Sequence, residues 1–174
     1  MSSLLGQIKE ALVVFADLKT APALIDGLAL ASHGVVRATR DVDFLVDADD
    51  ADRLHDILLG LGYRCLHCSE DAANYLRGED RFDVLYAHRP TARRLLSEAD
   101  ERQTGFGRLR VIGAEGLIAF KLQAYVNDPT RVRDLDDLRA LFKANAGQLD
   151  MDEVRRYFAL FDREDLLEAL ADGR

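Results

Sequence analysis

The segment Arg37-Ala38-Thr39-Arg40-Asp41-Val42-Asp43-Phe44-Leu45-Val46 most constrains what this chain can become. Phe44-Leu45-Val46 reads as a strand entering a core, and Asp41 and Asp43 stand at its mouth. Side chains two apart on a strand point to one face, about 6.6 Å apart at about 3.3 Å per residue. Two carboxylates side by side on an apolar strand repel each other and resist leaving water. A cation between them removes both penalties. Oxygen-only donors favour Mg²⁺ or Mn²⁺, which keep waters and bind substrate phosphates. The pair is therefore a candidate metal site for phosphate chemistry.

A third carboxylate has a similar setting. In Arg81-Phe82-Asp83-Val84-Leu85-Tyr86, alternation puts Phe82, Val84 and Tyr86 on one face and Asp83 and Leu85 on the other. An acid on the apolar side of a strand is costly unless paired or metal-bound. If the two strands are neighbours, Asp41, Asp43 and Asp83 converge on one or two metal ions. Two metals in such a site clamp an in-line phosphoryl displacement.

The rest of the chain supplies the organisation. Helical spacing covers residues 4–18, a short buried strand runs from Ala23 to a turn at Gly27, and Leu28–His33 suits a short helix stopped by Gly34. After the Asp41–Asp47 strand come a helix over 49–61 and a strand over 63–67. Residues 74–77 and 81–88 form a hairpin around Gly78-Glu79-Asp80. Pro90 opens a helix, and 108–112 is the last strand. Beyond it the pattern is helical, over 115–126, 134–144, 152–161 and 163–171. Strands first and helices afterwards predict a mixed α/β (α+β) domain over 1–113, with a helical segment over 114–174 packed on it.

Totals narrow the function classes. With 174 residues the chain is long enough for one substantial core. A net charge of −8 argues against a broad nucleic-acid footprint, though not against a local basic patch. No apolar run is long enough to cross a membrane, and the N-terminal stretch is amphipathic without a basic leader. A cytoplasmic protein without membrane partners is expected. Alternation puts Cys65 and His67 of Cys65-Leu66-His67-Cys68 on one strand face. No second pair of ligands appears at zinc-site spacing, so no structural zinc site is expected there.

Upstream of the paired aspartates, a strand, a Gly turn at Asp26-Gly27-Leu28 and a short helix make a plausible phosphate cradle. Arg37, Thr39 and Arg40 crowd the same mouth. The run from Leu24 through Gly27 to Asp41-Val42-Asp43, with Asp83 on a later strand, resembles the signature of the DNA polymerase β-like nucleotidyltransferase superfamily. Glu115-Gly116-Leu117-Ile118-Ala119-Phe120-Lys121, followed by Arg133-Asp134-Leu135-Asp136-Asp137-Leu138, is similar to the helical motif of the abortive-infection toxin-type branch. These motifs span residues 24–138.

The resemblance implies a minimal nucleotidyltransferase fold, a small mixed sheet flanked by helices. It implies Mg²⁺-dependent (or Mn²⁺-dependent) transfer of a nucleoside monophosphate from an NTP to an acceptor hydroxyl, on a tRNA end or a small molecule. Asp41, Asp43 and Asp83 would be the catalytic and metal-binding carboxylates. Gly27, Leu28, Arg37, Thr39, Arg40 and Lys121 would bind the nucleotide. The other reading of Lys121 is a lysine snorkelling from an apolar helix face. The toxin-type branch implies an antitoxin partner, and a cleft built between two protomers leaves a homodimer open. The family's turn usually reads Gly-Gly or Gly-Ser, whereas here Asp26 precedes Gly27. An acid beside a triphosphate needs solvent, Arg37 or Arg40 as partner. Otherwise the alternative is a degenerate binding module, or a toxin–antitoxin component, without turnover.

Overall fold

The computed structural model describes residues 4–173. Residues 1–3 and 174, which fall in the expected spans 1–113 and 114–174, lie outside the described residues. Two compact units are present. The first is the chain up to Ala29 with Arg37–Ile112, and the second is Leu30–Val36 with the chain from Gly113 onward.

The first unit holds every strand found among the described residues: β1 (Ala23–Leu24), β2 (Val42–Asp47), β3 (Arg64–Cys68), β4 (Ala72–Arg77), β5 (Asp80–Ala87), β6 (Asp100–Thr104) and β7 (Gly107–Val111). They form one seven-stranded sheet in the order β3-β4-β5-β2-β1-β7-β6. The sheet is mixed: β2 runs parallel to β5, β1 parallel to β7, and the other neighbouring pairs are antiparallel. Helices α1 (Leu4–Phe15), α3 (Ala51–Gly60) and α4 (Pro90–Ser97) belong to this unit, and α2 (Asp26–Ala31) begins in it.

Period-two alternation decides the two faces. Val42, Phe44 and Val46 of β2 share a face with Phe82, Val84 and Tyr86 of β5, and all six are buried. Phe15 of α1 meets Phe44 edge-on at 4.6 Å, and Tyr63 meets Phe82 at 6.1 Å. Each fully buried side chain of this size contributes about 1.5–3 kcal/mol over its exposed state. The opposite face carries Asp43, Leu45 and Asp47 beside Asp83, Leu85 and Ala87. Asp47 at the far end of that row pairs with Arg93 of α4 at 3.3 Å. Asp50 is 1% exposed, and its carboxylate accepts the Lys19 and Thr20 backbone N–H groups, fixing the loop before β1.

Three details differ from the sequence expectation. Strand β6, Asp100-Glu101-Arg102-Gln103-Thr104, was not expected, because a polar, mostly exposed edge strand carries no apolar alternation. The β4–β5 turn is Gly78-Glu79, with Arg77 facing Asp80 in register and Gly78 at a φ of +60°. In β3, a bulge between Cys65 and His67 resets the alternation. Cys65 and Cys68 oppose Tyr75 and Ala73 on one face, and His67 opposes Asn74 on the other.

The second unit is helical: α5 (Ala114–Asn127), α6 (Val132–Ala144), α7 (Met151–Leu160) and α8 (Glu164–Ala171). Leu138, Leu141, Val154 and Phe158 are fully buried among them, with Phe142 edge-on to Phe158 at 6.1 Å. Asp150 caps α7 by accepting the Asp152 and Glu153 N–H groups. The Asn145 amide donates to the His33 carbonyl at 3.0 Å, tying residues 30–36 to the end of α6. No helix among the described residues is long and apolar enough to cross a membrane.

Candidate active site

Strands β2 and β5 are neighbours, and their register sets Asp43 directly opposite Asp83. Paired residues on adjacent strands point the same way, so both carboxylates stand on the face opposite the aromatic core. Asp41 precedes β2 by one residue. Asp83 responds to its surroundings: burial pushes its carboxyl above the usual range, and the charges of Asp41 and Asp26 add to that. The Asn74 amide opposes the shift by donating to Asp83 Oδ1 at 2.8 Å. The charges of Asp26 and Asp41 therefore act on Asp83 at the start of these two strands, with Asp43 in register beside it.

The donor set fits a hard divalent cation. Asp41, Asp43 and Asp83 offer only oxygen, and the burial that raises Asp83, with the charges of Asp41 and Asp26 added to it, is what a cation would offset.

The turn lies against the same mouth. Gly27 is buried with Thr39 packed on it: a Cβ there would come within 2.8 Å of Thr39 Oγ1 and 2.9 Å of Thr39 Cβ. Glycine is required by that close approach. Asp26 adopts a φ of +54°, the left-handed region, and its carboxylate takes Arg37 at 3.0 Å. The acid of the turn is thus matched by the arginine that the sequence offered as partner. Arg40 is exposed, and Leu28 is buried within α2, so its backbone is what it can present.

Lys121 lies in the second unit, on α5. It is 4% exposed, and its Nζ meets Asp134 and Asp137 of α6 at 2.8 Å each. It does not snorkel to solvent. Arg131 Nε adds a second cation to Asp134 at 2.5 Å. Burial alone would push the Asp134 carboxyl up, but Lys121 and Arg131 outweigh it and hold it below its ordinary range. Arg133 of the same motif is exposed.

Asn74 is the site residue that sequence reasoning missed. A two-residue turn at Gly78-Glu79 pairs Asn74 with Asp83, whereas a three-residue turn shifts the register by one and removes Asn74 from that face. The glycine at the turn's first position was the available signal.

No protein-family model matches the sequence, and no curated protein does. Solved structures do. The antibiotic-resistance factor ANT(2'')-Ia, in solution, matches with a TM-score of 0.69 and 16% identity, over 98% of this chain and 97% of that one. The same factor in complex with adenylyl-2''-tobramycin gives 0.67 and 15%, over 94% and 99%. The lincomycin-bound lincosamide antibiotic adenylyltransferase LnuA gives 0.56 and 14%, over 78% and 94%. At such identities the likeness is one of fold: this chain has the mixed-sheet and helical architecture of solved nucleotidyltransferases.

Proposed function

We propose that this protein is a nucleotidyltransferase that moves a nucleoside monophosphate from an NTP to a hydroxyl of a small-molecule acceptor. The observation that carries the reading is the register pair Asp43–Asp83, with the charge of Asp41 acting on Asp83. Asp41, Asp43 and Asp83 would hold Mg²⁺ or Mn²⁺. Such an ion supplies charge neutralisation for the phosphates and orientation for the reacting oxygens. The acceptor oxygen would bond to the α-phosphorus as the bond to pyrophosphate breaks, and Asp83 would take the hydroxyl proton. A carboxylate raised by burial is a better base near neutrality than a solvated one. The turn at Gly27 and Leu28, with Thr39 and Arg40, would cradle the phosphates, and Arg37 neutralises Asp26 there. Catalysis in this class is mostly positioning and electrostatics. Lys121 already has two carboxylates on its ammonium, which supports an anchoring role within the helical unit over a phosphate contact.

The small-molecule acceptor rests on two supports. Two of the structural neighbours are held with antibiotic ligands, adenylyl-2''-tobramycin and lincomycin. The net charge of −8 disfavours a long polyanion as acceptor.

The test is a thermal-shift screen of four NTPs with Mg²⁺ and Mn²⁺, followed by mass spectrometry of aminoglycosides, lincosamides and RNA incubated with the protein. A metal-dependent NTP shift and a small molecule heavier by one NMP are expected. A ligand at 100 times its Kd stabilises by about 2.7 kcal/mol, well within reach of the assay. An NMP-labelled RNA with a steep salt dependence would replace the acceptor class. Absence of both shift and labelling would overturn the proposal.

A further inference from the structure

At the outer edge of the sheet, away from the paired aspartates in sequence and chemistry, three soft-metal donors come together. We infer that His55, Cys65 and Cys68 form a binding site for a thiophilic divalent cation, Zn²⁺, independent of any hard-cation site at the aspartates.

The β-bulge makes the site. In a regular strand, residues three apart point to opposite faces, so Cys65 and Cys68 would be separated by the sheet. The extra residue at Leu66 turns Cys68 onto the face of Cys65, opposite Ala73 and Tyr75. Helix α3 supplies His55, whose ring lies 5.8 Å from the Tyr75 ring. One ligand atom from each of His55, Cys65 and Cys68 lies within 4.8 Å of the others. Tetrahedral zinc, with Zn–S of about 2.3 Å and Zn–N of about 2.0 Å, spaces its ligand atoms by roughly 3.5–3.8 Å. Small side-chain rotations therefore close the site.

The surroundings suit a ligating imidazole. His55 Nδ1 is 3.0 Å from the hydroxyl of Tyr75, a residue 1% exposed. With Nδ1–H donating there, Nε2 carries the ligating lone pair, the arrangement by which an outer partner fixes a metal-bound histidine. Zn²⁺ replaces the two thiol protons, which leave to solvent, and forms one bond to each sulfur. Cys68 is exposed, so the fourth corner falls to water. Strand β3 is an edge strand paired only with β4, and the cation would tie it to α3.

Donor type keeps the two sites apart, since thiolate and imidazole select zinc while carboxylate oxygens select magnesium or manganese. The test is a titration of the reduced, chelator-treated full-length protein with Co²⁺ and then Zn²⁺, followed by absorbance. One equivalent of Co²⁺ is expected to give thiolate-to-cobalt charge-transfer bands and tetrahedral visible bands, and one equivalent of Zn²⁺ to bleach them. Cys65→Ser and Cys68→Ser each lose about half or more of the charge-transfer intensity, the double variant loses all of it, and His55→Ala weakens Co²⁺ binding by at least about tenfold. His67→Ala, on the opposite face, and Asp43→Asn leave the bands unchanged. The inference is overturned by a folded, reduced protein without charge-transfer bands, by thiols that only form a disulfide, or by bands of undiminished intensity in Cys65→Ser.

Discussion

Asp43 and Asp83 stand directly opposite each other on the parallel strands β2 and β5, on the sheet face away from the aromatic core. Both are half-buried, and a buried carboxylate resists carrying its charge. Burial is the largest cause of the upward shift at Asp83, and neighbouring acids add to it.

Asp43→Asn separates chemistry from stability. The substitution keeps the shape and removes one of the facing charges. NTP-dependent labelling of an acceptor should fall to background, while the melting temperature stays at or above that of the wild type. Calorimetry and mass spectrometry on the same preparation check both halves. Full transfer activity in the variant would remove Asp43 from the catalytic assignment.

Gly27→Ala tests the packing of the turn against the strand mouth. The new Cβ would lie 2.8 Å from Thr39 Oγ1, closer than real Cβ atoms approach. Overpacking of this kind costs about 1–3 kcal/mol. Adding Thr39→Gly, which removes both the Oγ1 and the Cβ that the new methyl meets, should restore part of that loss, giving a positive coupling in a double-mutant cycle read by urea unfolding. Additive losses would show that the turn and residue 39 are independent.

Asp26→Gly asks what the acid does in the turn. Asp26 holds a left-handed φ of +54°, a conformation costing a non-glycine residue about 1 kcal/mol or more. Its ion pair with Arg37 is partly exposed, with side chains 33% and 22% accessible, and is worth about 0–1 kcal/mol. The two effects nearly cancel, so stability should change by less than about 1 kcal/mol. Nucleotide affinity should rise, because a negative charge leaves the cradle and Arg37 is released to the phosphates. A weaker NTP-dependent thermal shift in Asp26→Gly would contradict this.

Much of this site was legible in the chain because alternation is a strong signal. Asp41-Val42-Asp43-Phe44 and Phe82-Asp83-Val84 announced their buried faces, and the condition that their strands be neighbours is met. Register was less legible. One residue in the length of the Gly78-Glu79 turn decides whether Asn74 faces Asp83, and one bulge at Leu66 decides whether Cys65 shares a face with Cys68 or with His67. Both are local backbone choices that leave no trace in hydrophobic pattern. Strand β6 was hidden for the opposite reason, having no buried face to report. The partners of Lys121 lie on the next helix, and pairing between helices depends on their packing rather than on periodicity within either.

The buried group Lys121–Asp134–Asp137 makes a prediction about pH as well as role. Asp134 is held below its ordinary value in the fold, so it contributes stability above the unfolded value of about 3.9. That contribution is lost as pH falls through the folded value. Removing Lys121 alone, Lys121→Met, takes the shared ammonium from two carboxylates at 3% exposure, leaving Arg131 on Asp134, and should cost about 3–5 kcal/mol. Replacing all three, Lys121→Met with Asp134→Leu and Asp137→Leu, should be neutral or stabilising by about 1–4 kcal/mol and should flatten the acid limb of the stability profile. Arg131 tolerates the loss because it is half exposed. To reach a triphosphate, Lys121 would have to abandon both carboxylates where water does not replace it, so the triple variant should keep its NTP-dependent thermal shift. Loss of that shift in a variant that still unfolds cooperatively would return Lys121 to the nucleotide.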